Sequence, residues 1–160
     1  DDEKRMRQML TRIKAFLISV SIAMGLVAIH TSVTNLLWLS SIDMPISLGI
    51  IISTITSDII GMSFQGEVPV IALILIGLLI AFCTAGLLFK RATLSKPKLY
   101  ALAGGTALLA TVMLLSLALG SMDLIAGART SLGRCIIILA GILAGYYFGV
   151  QLTKVANNEE

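Results

Sequence analysis

His30 is the only histidine among the 160 residues, and Thr31, Thr34, Asn35 and Trp38 follow it within the same apolar run. An imidazole titrates near neutral pH, so this residue could accept a proton or contact a ligand. It could equally be a hydrogen-bonded packing residue. Alone it cannot make a metal site, and one chain with one histidine cannot supply two imidazoles to a haem. Cys83 and Cys135 lie inside apolar runs without CxxC or Cys/His spacing. They are expected to be buried and to behave as small apolar side chains.

The charges that interrupt apolar sequence carry the sharper chemistry. Arg134 falls near the start of an apolar stretch that also holds Gly141 and Gly145, and at 100° per residue it projects toward the same side. A cation in a low-dielectric seam needs a counter-charge. Asp58 is the expected partner and Asp123 the second choice. Such a pair would either close a loop over a helix bundle or recognise a carboxylate or anionic headgroup, which arginine can hold bidentately. The candidate pocket is therefore His30, Thr34, Asn35, Asp58 and Arg134, with Arg129 at its rim.

Nothing else completes a catalytic, metal or cofactor signature. Ser19, Thr84, Thr106, Thr111 and Ser116 are expected to be buried hydroxyls bonded back to helix carbonyls. None has a paired base in the sequence pattern, so nucleophilic catalysis is unsupported. No Asp, Glu, Lys or Arg lies midway along any apolar run, which argues against ion-coupled transport.

The elements that must position these residues are read from composition. The chain is 57% hydrophobic and 13% charged, about half the charge of a soluble domain. Its mean hydropathy is +0.96. A spanning helix needs about 20 mostly apolar residues. Segments 15–38, 69–89, 99–120 and 132–152 qualify, which predicts an all-α integral membrane protein built as a four-transmembrane-helix bundle. Residues 1–14 read as a charged cytoplasmic segment and 153–160 as a cytoplasmic tail. The first apolar run is too long for a signal peptide and is expected to be a retained helix.

Lys4, Arg5, Arg7, Arg12, Lys14, Lys90, Arg91, Lys96, Lys98 and Lys154 fall on one side of this topology, ten of the twelve basic residues. Only Arg129 and Arg134 fall on the other. The positive-inside rule puts both termini in the cytoplasm, with a bacterial inner membrane as the expected setting. The net charge of +3 is thus an orientation signal rather than a nucleic-acid footprint.

Between the first two spans, residues 47–62 have helical periodicity. Leu48, Ile51, Ile52, Ile55, Ile59 and Met62 form an apolar wedge opposite Ser53, Thr54, Thr56, Ser57 and Asp58. This predicts an extracytoplasmic amphipathic helix, too short to span, with its wedge against the bundle. The alternative is a helix resting in the headgroups. Small residues predict the close packing sites: Gly141, Gly145 and Gly149 as a doubled GxxxG, Gly77, Ala81 and Ala85, and on the first helix Ser21, Gly25, Ala28 and Ser32. Such strips could join helices within one chain or join two protomers.

In its four spans and long first outer loop the chain resembles the claudins, but that loop lacks their paired cysteines. The reactive pairs of four-helix thiol oxidoreductases are missing too, as is the intramembrane Glu/Arg pattern of the membrane glutathione-dependent enzymes. The expected function is non-enzymatic: an accessory subunit, or a protein that binds a lipid or hydrophobic ligand. The expected partners are the bilayer, a bound lipid, another membrane subunit or a second copy of the chain, with no cofactor and no nucleic acid. Alternatives are a small enzyme acting on a lipid or quinone at the outer leaflet, and an oligomeric channel.

Overall fold

The computed structural model describes residues 2–64, 69–91, 93–118 and 126–157. Every regular element among them is helical: α1 (Asp2–Ser41), α2 (Leu48–Phe64), α3 (Val70–Leu88), α4 (Lys96–Ala118), a single 3-10 turn (Ala126–Arg129) and α5 (Ser131–Asn157). Four of these, α1, α3, α4 and α5, are long and apolar enough to cross a membrane.

Local chemistry sets where the helices start and stop. Ser47 precedes α2, and its Oγ accepts the Ile50 amide at 3.3 Å. Thr130 caps α5 in the same way, accepting the Gly133 amide at 3.0 Å. Each bond satisfies one of the four amide groups that a helix N-terminus leaves without an internal partner. Pro97 falls in the first turn of α4, where a missing N–H removes no helical bond. Asp43 takes a positive φ of 56° and turns the chain out of α1. Aspartate tolerates this conformation better than most residues.

At about 1.5 Å per residue the 40 residues of α1 extend roughly 60 Å, twice the thickness of a hydrocarbon core. Its first turns carry the charged segment, braced by an exposed Arg7–Glu3 pair at 2.7 Å.

Helix α5 packs between α4 and α1, α3 packs on α4, and α2 lies against α1. The α4–α5 contact is the closest. A Cβ built on Gly141 would overlap the Gly104 carbonyl oxygen, one on Gly145 would overlap the Tyr100 carbonyl oxygen, and one on Gly149 would lie 2.6 Å from the Pro97 Cα. Gly77 brings α3 to α4 more loosely, with Thr111 Oγ1 at 3.0 Å from its hypothetical Cβ, and Ala81 is half-buried nearby.

Helix α1 buries only the later part of the strip expected on it, with Ser32 buried and Ala28 half-buried. Ser21 and Gly25 are exposed, and no atom lies within 4 Å of where a Gly25 Cβ would be. The buried residues are Ala15, Ser19, Ala23, Val27 and Thr31, at four-residue spacing, with Val20 and Ser32 beside them. The contact is anchored by Ser19, whose buried hydroxyl donates to the Ala144 carbonyl at 2.7 Å. Alanine and serine allow close approach as glycine does, so composition alone does not choose between the two strips.

Cys83 and Cys135 are exposed on α3 and α5 rather than buried. Thr84 and Thr106 are exposed as well, each bonded back to a carbonyl of its own helix. Lipid tails solvate such groups as readily as a protein interior does once the hydroxyl is bonded locally.

Candidate functional site

Two regions gather polar or aromatic side chains, one at each end of the helices. At the α1–α2 end, Asp58 faces α1. Its Oδ2 accepts from Ser32 Oγ and its Oδ1 from Asn35 Nδ2, both at 2.9 Å. The two donors are three residues apart on α1, so they share a face and meet both oxygens of one carboxylate. Bonds to an ionised acceptor are among the stronger ones, which makes this a clasp between α1 and α2.

The clasp also explains the orientation of α2. The expected contact of the isoleucine wedge with the bundle is not what is found: Leu48 is 78% exposed and Ile52 65% exposed, and Ile55 and Ile59 are exposed too. Of that wedge Ile51 is half-buried, and Thr54, Asp58 and Gly61 share its half-buried side. A carboxylate must find donors, and α1 offers them; an isoleucine can be left facing lipid at little cost. The side chain of Met62 lies outside the described residues.

The remaining expected pocket residues are His30, Thr34, Arg129 and Arg134. His30 and Thr34 are half-buried, and Thr34 Oγ1 is bonded back to the His30 carbonyl at 2.9 Å. Arg134 sends its Nε to the Ala128 carbonyl at 2.9 Å, bracing the 3-10 turn against the start of α5. Arg129, at the end of that turn, is exposed. Asp123 lies outside the described residues. The Thr31 hydroxyl is buried without a hydrogen-bond partner among the described residues.

At the opposite end each spanning helix contributes one aromatic side chain to a shared cluster. Phe82 of α3 stacks on Phe148 of α5, with ring centroids 4.7 Å apart and planes 8° from parallel. Phe16 of α1 meets both edge-on at 6.1 Å. Tyr100 of α4 closes the group at 5.7 Å from Phe82 and 5.2 Å from Phe148. These are the offset and T-shaped arrangements that ring quadrupoles favour.

The cluster floors a cleft of about 390 Å³ between α1 and α3, two spans that touch little. Met9, Ile13 and Leu79 line its sides, and Arg12 is the charged residue of its lining. A second cavity of about 270 Å³ shares Arg12, Gly86, Tyr100 and Leu152 with it and is also lined by Phe89 and Lys96. Lys96 Nζ lies 5.3 Å from the Phe89 ring centroid, in cation–π range.

No family model, curated protein or solved structure matches this chain.

A further groove of about 480 Å³ between α3 and α4 is lined by Ile76, Gly77, Ala81 and Leu114, with Thr106 and Thr111. Both threonine hydroxyls bond back to their own helix, so that groove has little with which to orient a ligand. The α1–α3 cleft differs in having a cation, Arg12, in its lining and a second, Lys96, in the cavity beside it. Sequence reasoning missed it. The one available signal was that Phe16, Phe82, Tyr100 and Phe148 each lie within about two turns of a basic helix end.

Proposed function

We propose that this chain is a non-enzymatic multi-pass membrane protein that binds a hydrophobic ligand in the cleft between α1 and α3. The observation that carries the reading is the four-ring floor, built from one residue of each of the four long apolar helices beneath a cleft between α1 and α3. Ligand sites are typically concave, mostly apolar and equipped with a few convergent polar groups. At about 390 Å³ the cleft falls in the usual size range of such sites.

In this reading both termini are cytoplasmic, because ten of the twelve basic residues then lie inside, and the cleft opens to the inner leaflet. A bacterial inner membrane suits this orientation. The polar group around Asp58 is a structural clasp rather than the ligand site, since Ser32 and Asn35 already engage both carboxylate oxygens. The glycine seam between α4 and α5 packs the bundle internally.

The test is purification in a mild detergent followed by extraction and mass analysis of whatever remains bound. A hydrophobic compound retained near one per chain, and lost when Phe82 is replaced by Ala, is expected. Retention unchanged in a folded Phe82→Ala protein, or no retained compound at all, would refute the reading. A role as an accessory subunit is favoured by the exposed isoleucines of α2, which offer a partner an apolar face. Copurification of another membrane protein lost on Ile52→Ser would support that second reading.

A further inference from the structure

The two neighbouring cavities share Arg12 and Tyr100 but are unlike in chemistry, and their order along the helices is informative. Arg12 lies one helical turn before Phe16 on α1, and Lys96 lies one turn before Tyr100 on α4. Four-residue spacing puts each cation and its ring on one face, about 6 Å apart along the axis. The rings belong to the apolar cleft, while Arg12 and Lys96 share the smaller cavity at the helix ends. Two helices thus repeat the same pattern of a cation above an aromatic ring. Among the described residues, no carboxylate lines either cavity.

From this complementarity we infer that the site holds an anionic glycerophospholipid from the leaflet at the basic end. One acyl chain lies in the α1–α3 cleft over the four rings, and the phosphate sits between Arg12 and Lys96. Arginine and lysine differ usefully in this role. The guanidinium of Arg12 can take two phosphate oxygens at once, and the ammonium of Lys96 adds a point charge beside them. The other acyl chain stays in the bilayer through the open side of the cleft. This inference rests on the cleft being a ligand site, and it adds the class of ligand.

Cys83 provides a reporter within the cleft. It lines the wall, and its side chain is exposed. Cys135 is also exposed, but it lies 13 residues from Phe148 along α5, roughly 20 Å away toward the other end. The full chain, delipidated in detergent, is treated with N-ethylmaleimide while dioleoyl phosphatidylglycerol or dioleoyl phosphatidylcholine is added. Alkylation of the two cysteines is followed by peptide mass analysis.

Each basic group near an anionic lipid contributes about a fivefold preference, so two give roughly 25-fold. Phosphatidylglycerol is expected to protect Cys83 at a correspondingly lower concentration than phosphatidylcholine, with Cys135 reacting unchanged. In the double variant Arg12→Gln/Lys96→Gln the two lipids should protect Cys83 equally. Equal protection in the unaltered protein would overturn the anionic class and leave the cleft reading standing. No protection of Cys83 by either lipid, or parallel slowing of Cys135, would overturn both. A phosphatidylglycerol preference that survives in the double variant would assign it to the other basic residues of that end and refute the site.

Discussion

The α4–α5 seam allows a sharp test, because the glycines of this chain meet opposite surroundings. In Gly145→Ala the new methyl would overlap the Tyr100 carbonyl oxygen, 2.7 Å from the Tyr100 carbonyl carbon and 3.1 Å from the Ala101 Cα. All three are backbone atoms of α4, so no side-chain rotation relieves the clash. The helices must part by roughly 1 Å to reach ordinary contact distance, and a gap of that size forfeits up to about half of each dispersion contact across the seam. Strain and lost contacts together should cost about 2–4 kcal/mol, at or somewhat above the usual overpacking range.

Gly25→Ala is the control. Nothing lies within 4 Å of its Cβ position, so only helix propensity changes, a gain of up to about 1 kcal/mol. Equilibrium unfolding in mixed micelles, followed by circular dichroism, should therefore move in opposite directions for the two variants. If Gly145→Ala unfolds with or after the parent, α4 and α5 do not meet through backbone at this position, and the close seam between them is refuted.

Asp58→Ala should detach α2 from α1. It removes the acceptor of Ser32 and Asn35 and should lower stability by about 1–3 kcal/mol, with Asp58→Asn milder because an amide oxygen can still accept one bond. Unchanged melting with altered ligand retention would instead make Asp58 part of a binding site. Ser19→Ala should cost less, about 0.6 kcal/mol, as interhelical hydrogen bonds in membranes average that value, and a loss above about 2 kcal/mol would point to a larger polar network. In a background of Cys83→Ala and Cys135→Ala, Leu94→Cys should react with an impermeant maleimide only from the cytoplasm and Ser40→Cys only from outside; the reverse pattern would invert the orientation.

Much of the fold is legible in the sequence because hydropathy is local. A run such as Val70–Leu88 needs no partner to be recognised as a span, and each of the four segments expected to span falls on a helix of its own. The helix over 47–62 is likewise visible in its period, although its facing is not. Asp58 stands out as needing partners, and Asn35 is legible beside it because it is the asparagine of that end; Ser32 is not, because other serines such as Ser40 and Ser41 lie near that end too. The α1 contact strip is ambiguous in sequence, since Ser21/Gly25/Ala28/Ser32 and Ser19/Ala23/Val27 are both acceptable rows, and the structure buries the second together with Ser32 of the first.

The amino-acid sequence by itself determined that this chain has four apolar helices of spanning length, that its basic residues gather at one end of them, and that a shorter helix intervenes between the first two. Only the tertiary structure decided which side of each helix is inside. In water, apolarity would have marked the buried face. In a bilayer, lipid and protein interior are about equally apolar, so the choice falls to shape: where a backbone can approach another within contact of glycine, and where rings from positions 16, 82, 100 and 148 can stack. Those contacts join residues distant in sequence, and the cleft above them exists only because α1 and α3 both meet that ring cluster while scarcely meeting each other.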